Sequence, residues 1–167
     1  ALAEFTLDVV PGESFALVGM NGAGKTTLLK CLLDFCEPDA GRISIFGVTH
    51  RETRSRARLS VLPERFTPPY FLTGRDFLRY MLELQNVVYR EEDARATLES
   101  LDLDRAALDL PVRAYSKGMT QKLGLAACFL SRKDLYVLDE PTSGLDPKAR
   151  ALLKLRLKGL RESGGTV

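Results

Sequence analysis

The stretch Gly19-Met20-Asn21-Gly22-Ala23-Gly24-Lys25-Thr26 constrains this chain more than any other, because it satisfies the pattern GxxxxGK[ST] at all four fixed positions. Its flanks give it the right context. Ser14 to Val18 is a short apolar run ending at glycine, which predicts a buried strand, and Lys25 to Leu33 places Leu28, Leu29, Leu32 and Leu33 on one helical face. Between a strand and a helix, glycines let successive backbone N–H groups turn inward around phosphate oxygens, and the helix adds its positive dipole end at the same point. Lys25 then reaches the β and γ phosphates, and the Thr26 hydroxyl is offered to Mg2+. The expected phosphate-binding set is Gly19, Asn21, Gly22, Ala23, Gly24, Lys25, Thr26 and Thr27.

The remaining pattern is α/β with a helical excursion in the middle. Phe5 to Val9, Arg42 to Phe46, Leu59 to Leu62 and Leu135 to Leu138 read as strands. Thr73 is placed to cap a helix carrying Asp76 in its first turn and Phe77, Leu78, Met81 and Leu82 at helical spacing. A second helix near Glu91 to Leu101 repeats Ala94, Leu98 and Leu101, and Pro111 closes the insert. A helix after Tyr115 then aligns Met119, Leu123, Ala126 and Leu130. Asp146 and Pro147 supply a cap and a first helical residue for a last helix with Ala149, Leu153, Leu157 and Leu160. The chain starts without methionine in a strand-like segment and stops after Gly164-Gly165, so it reads as an excerpt cut at both ends.

Composition excludes more than it names. Its 45% hydrophobic and 28% charged residues are those of an ordinary globular domain, and 167 residues suit one domain. A net charge of +2 from 24 basic and 22 acidic residues, mixed along the chain, gives no basic tract for nucleic acid or a membrane surface. Cys31, Cys36 and Cys128 have no zinc-type spacing and lie in apolar stretches, which predicts reduced core thiols in buried helices. No apolar run approaches the ~18 residues that span a bilayer.

Leu135-Tyr136-Val137-Leu138-Asp139-Glu140 is an apolar strand ending in two carboxylates. Alone, Asp139-Glu140-Pro141 reads as a polar turn. Downstream of a phosphate loop it reads as a Walker B segment, with Asp139 holding Mg2+ and Glu140 placed to deprotonate the attacking water. Lys25 and Glu140 are thus the candidate catalytic pair.

Tyr115-Ser116-Lys117-Gly118-Met119-Thr120-Gln121 lies between these motifs and resembles the LSGGQ signature of ABC (ATP-binding cassette) ATPases. Ser143-Gly144-Leu145-Asp146 is similar to their D-loop. The resemblance runs from Gly12-Glu13 to Gly164-Gly165-Thr166, and the YSKGM form of the signature is similar to that of ATP-binding subunits of bacterial exporters. It implies a P-loop NTPase fold with a central, mostly parallel sheet, an antiparallel β portion and a helical subdomain at about 73–118, all in one ATP-binding domain over 1–167. It further implies ATP and Mg2+ as ligands and head-to-tail dimerisation with a second cassette, in which Ser116, Gly118 and Asp146 complete the partner's nucleotide site. A transmembrane permease subunit is the implied partner, with the chain peripheral on the cytoplasmic face of the membrane and no direct nucleic-acid contact.

Two departures qualify the likeness. Where the family has glutamine after the strand Leu59 to Leu62, this chain has Pro63-Glu64, so Glu64 is a third candidate metal ligand beside Thr26 and Asp139. The family's adenine-stacking aromatic and switch histidine have no counterpart in the sequence, and His50, alone after Gly47, reads as a surface residue. P-loops also occur in GTPases and small-molecule kinases, but no NKxD guanine-reading tetrad is present. The alternative within the family is a twin-cassette factor acting on ribosomes; a regulatory cassette without turnover is disfavoured by intact Lys25, Asp139 and Glu140.

Overall fold

The computed structural model describes residues 5–20 and 22–167. Its elements are α1 (Lys25–Leu32), β1 (Ser44–Ile45), β2 (Val48–Thr49), α2 (Thr53–Arg56), β3 (Leu59–Leu62), α3 (Gly74–Leu84), α4 (Glu91–Ser100), α5 (Lys117–Leu130), β4 (Leu135–Leu138) and α6 (Pro147–Glu162). Two 3-10 turns, Arg105–Asp109 and Val112–Ala114, join α4 to α5.

The parallel sheet is short and central. β3 pairs with β4 in register from Leu59 with Leu135 to Leu62 with Leu138, and Thr166 bridges to Leu135 in parallel on the other side of β4. β1 and β2 form a separate antiparallel hairpin. Both strands of the parallel pair are almost unbroken apolar runs, as strands covered on both faces require. The cover is α5, whose residues from Gln121 to Leu130 are all buried. Gly124 is where α5 presses closest to the sheet: a Cβ there would lie 2.7 Å from Leu62 Cδ1 and 2.8 Å from Phe66 Cε1.

The insert brings its own apolar faces to the same core. Phe77, Leu78 and Leu82 of α3 and Ala94 and Leu98 of α4 are buried with Leu123, Leu125 and Ala126 of α5. Thr73 caps α3 by accepting from the Asp76 N–H, as its sequence predicts. Arg75 ties the insert together by pairing with Glu91 on α4 and with Asp109 in the following turn.

Four expectations fail. Phe5 to Val9 and Ser14 to Val18 form no strand; both are largely exposed, Val18 at 88%. The physical reason is a missing ladder. Among the described residues the segment's long-range backbone bonds are Phe15 N–H to Val167 O, 2.8 Å, and Val167 N–H to Glu13 O, 3.0 Å. His50 is not a surface residue: it is 4% exposed, with Nδ1 3.1 Å from the Ile43 carbonyl, because the β1–β2 hairpin and α2 fold over it. Cys36 is neither helical nor fully buried, since α1 ends at Leu32 and the chain turns back.

Candidate active site

Each functional side chain stands at the end of an element. The phosphate loop ends at Gly24, the N-cap of α1, with φ 93°, and Gly22 has φ 82°. These are left-handed conformations that glycine adopts without cost. α1 has no side-chain cap, so its first-turn N–H groups keep the donors that a phosphate would take. Lys25 folds its ammonium over the loop, donating to Gly19 O at 2.7 Å and Met20 O at 3.0 Å. Ala23 closes the loop through its N–H to Met20 O, 3.1 Å, and Thr26 and Thr27 are exposed in the first turn of α1. Asn21 lies outside the described residues.

At the end of β4 the Asp139 N–H donates to Leu62 O at 2.9 Å, one residue before Pro63-Glu64. This last rung fixes both carboxylate-bearing loops on one sheet edge. Burial, followed by the charges of Glu64 and Glu140, pushes the Asp139 carboxyl above its usual range, while Lys25 pulls it back. The charges of Glu64, Glu140 and Lys25 thus all act on Asp139. Glu140 has φ 48°, a left-handed conformation uncommon outside glycine and typical of functional turns.

That donor set suits a magnesium ion shared with phosphate. A partly buried carboxyl held up by burial and by neighbouring negative charge, as Asp139 is, is relieved by a divalent cation. Among the described residues no three His, Cys, Asp or Glu side chains are grouped to hold a metal by themselves. Mg2+ ordinarily takes one or two carboxylates and completes its shell with water and substrate phosphates.

The signature segment is built differently. Ser116 caps α5, its Oγ accepting from the Met119 N–H at 3.2 Å. Gly118 packs on the D-loop: a Cβ there would be 2.9 Å from Gly144 O, and the Lys117 side chain lies over Gly144. Asp146 caps α6 by accepting from Ala149 N–H at 2.9 Å, which together with its neighbours holds its carboxyl below the usual range. Among the described residues no hydrogen bond or ion pair joins Ser116 or Gly118 to the phosphate loop.

Gln121 was missed by the sequence reading. It is buried, and its Nε2 reaches Pro141 O at 3.2 Å and Glu140 O at 3.4 Å, so α5 holds the turn that carries Glu140. The available signal was the single amide side chain on α5, at the start of its long apolar stretch.

Residues 2–143 match the family described as ABC transporter. An uncharacterized ABC transporter ATP-binding protein of Synechocystis is 36% identical over 171 residues, covering 100% of this chain and 48% of that protein. Nod factor export ATP-binding protein I of Burkholderia thailandensis is 41% identical over 163 residues, covering 95% of this chain and 53% of the other. A solved putative ABC transporter ATP-binding protein of Pyrococcus furiosus superposes with a TM-score of 0.82 at 30% identity, covering 93% of this chain and 77% of that one. A second solved ATP-binding subunit of an ABC transporter gives 0.85 at 32% identity, over 93% and 66% of the two chains. The chain spans about half the length of the curated relatives it matches.

Proposed function

This chain belongs to the ABC transporter family, of which it is an ATP-binding, P-loop ATPase portion, and from that premise we propose that it powers an exporter by ATP-driven head-to-tail dimerisation. The observation that carries the catalytic part is that Asp139, at the end of β4, feels the charges of Glu64, Glu140 and Lys25, while α1 begins without a side-chain cap.

The chemistry follows from what those groups do. Lys25 exchanges its two loop carbonyls for phosphate oxygens, which keeps the ammonium paired throughout and places positive charge where charge develops. The open N–H groups of α1 bind the phosphates from the other side. Glu140, exposed at the strand end, accepts the proton of the attacking water, and Gln121 holds its backbone in place. Thr26, Asp139 and Glu64 would hold Mg2+, which neutralises phosphate charge when bound.

Dimerisation gives Ser116 and Gly118 their task. They lie against the D-loop of their own chain, with no bond to its phosphate loop among the described residues. In a head-to-tail pair the start of α5, with the dipole of fourteen helical residues behind it, faces the partner's phosphates, and Asp146 stands at the same border. The export direction rests on the likeness to Nod factor export ATP-binding proteins and on the YSKGM signature. In this reading a permease supplies the membrane span and holds this chain at the cytoplasmic face, as the family likeness implies; no described helix is long and apolar enough to cross a membrane.

The test is to purify the intact protein carrying Glu140→Gln from detergent-solubilised membranes in Mg-ATP and identify what accompanies it. Recovery of a polytopic membrane protein supports the transporter reading. Recovery of ribosomes without a membrane protein overturns it in favour of a soluble factor.

A further inference from the structure

The C-terminal end of α1, remote from its phosphate-binding start, carries a pair of thiols with no part in the chemistry above. Cys31 is buried on α1 and Cys36 is partly exposed just beyond it, and their sulfur atoms lie 3.4 Å apart. The local fold explains the encounter. Asp34 adopts φ 64°, Phe35 N–H bonds back to Lys30 O at 2.8 Å, and Asp34 N–H bonds to Cys31 O at 3.1 Å. This is the helix-ending reversal in which a left-handed residue turns the chain back along the last turn, and it returns Cys36 to the face that Cys31 occupies. The Cys36 sulfur also approaches Thr27 O at 3.9 Å, so it lies along the helix that presents Lys25 and Thr26 at its other end.

We propose that Cys31 and Cys36 form a dithiol modification site that closes into an intrachain disulfide by exchange with a small-molecule disulfide of the glutathione type. The exchange balances in two steps. Cys36, the more accessible sulfur, attacks one sulfur of the oxidant as thiolate, forming a mixed disulfide and releasing one thiol. Cys31 then attacks the Cys36 sulfur, breaks the mixed disulfide and releases the second thiol. The protein loses two protons and two electrons, which leave on the two small-molecule thiols. Hydrogen bonding by Cys36 and burial raise the Cys31 thiol above its ordinary range, in keeping with its second place in the sequence of steps. Cys128 provides the contrast: burial pushes its thiol up to about 11, and Ser60 is its neighbour, so it stays out of the exchange. A bridge between Cys31 and Cys36 clamps the back of the helix whose front is the phosphate loop.

One tryptic fragment contains both sulfurs, since cleavage after Lys30 and Arg42 releases Cys31–Arg42. The intact reduced protein is incubated with oxidised glutathione, free thiols are blocked with N-ethylmaleimide, and the digest is weighed. The expected result is a Cys31–Arg42 fragment lighter by two hydrogens and unblocked, while Cys128 remains a reduced thiol. Cys31→Ser converts that product into a lasting glutathione adduct on Cys36, and Cys36→Ser leaves Cys31 reduced. Blocking of both Cys31 and Cys36 after the same treatment overturns the proposal, as does a glutathione on each or a bridge that includes Cys128. Far-UV circular dichroism and ATP turnover of both serine variants, matching the parent, establish that each is folded when its thiols are counted.

Discussion

Helices α1 and α5 both present their starts toward phosphate in the proposed mechanism, yet their local construction is opposite. α1 is eight residues long, begins at a glycine without a side-chain cap, and buries only Cys31. α5 is fourteen residues long, begins at a serine that caps it, and buries every residue from Gln121 to Leu130. The first leaves its donors open and depends on what binds there. The second is complete without a ligand, and it carries the sheet, the insert and the Glu140 turn on its sides. Changes at α1 therefore act on nucleotide chemistry, and changes on α5 act on stability as well.

The sharpest separation is expected from Lys25→Ala. Removing a positioned cation from the phosphates lowers ATP turnover by about 10² to 10³, while the urea midpoint stays at the parent's value because, among the described residues, the bonds of Lys25 go to its own loop. A large loss of stability in that variant would break the comparison. On the other helix, Gly124→Val forces Leu62 and Phe66 aside and costs about 1 to 3 kcal/mol in urea unfolding. Turnover falls with it, since Leu62 ends β3 two residues before Glu64 and Phe66 lies two residues after it. Ser116→Ala removes the α5 cap at a cost of ~1 kcal/mol; under the proposed head-to-tail dimerisation it also weakens ATP-driven association, so sedimentation with Mg-ATP shows less dimer than the stability change explains.

The smallest effect lies in the insert, away from both helix starts. Arg75 above all, with Tyr89 and Arg95, holds the Glu91 carboxyl down to about 2. A depressed carboxylate contributes stability that is full above its unfolded value of 4.5 and lost as pH falls through about 2. The pair is partly solvated, so the contribution is about 1 kcal/mol or less. Glu91→Gln flattens acid unfolding in that window and leaves turnover near neutral pH unchanged.

Much of this was legible in the residues. The spans of β3 and β4, the start of α1, the Thr73 and Asp146 caps and the order of motifs follow from apolar runs and capping chemistry, which are local. Ser14 to Val18 was misread because an apolar run states only that a segment suits a strand; the ladder comes from a partner, and among the described residues the one backbone partner across from this segment is Val167. His50 and Cys36 were misread for the converse reason, since a hairpin folding over one and a helix reversal carrying the other are tertiary events. Gln121 was overlooked because its partners, the carbonyls of Glu140 and Pro141, lie nineteen and twenty residues away.

The most direct test is single-turnover hydrolysis of Mg-ATP by the intact protein against its Glu140→Gln variant, which keeps size and hydrogen bonding but cannot take a proton. With Glu140 as general base at the end of β4, the variant retains bound ATP and hydrolyses it about 10² to 10⁴ times more slowly. Hydrolysis at the parent's rate, with ATP binding intact, would contradict the account and leave Glu140 a mere turn residue.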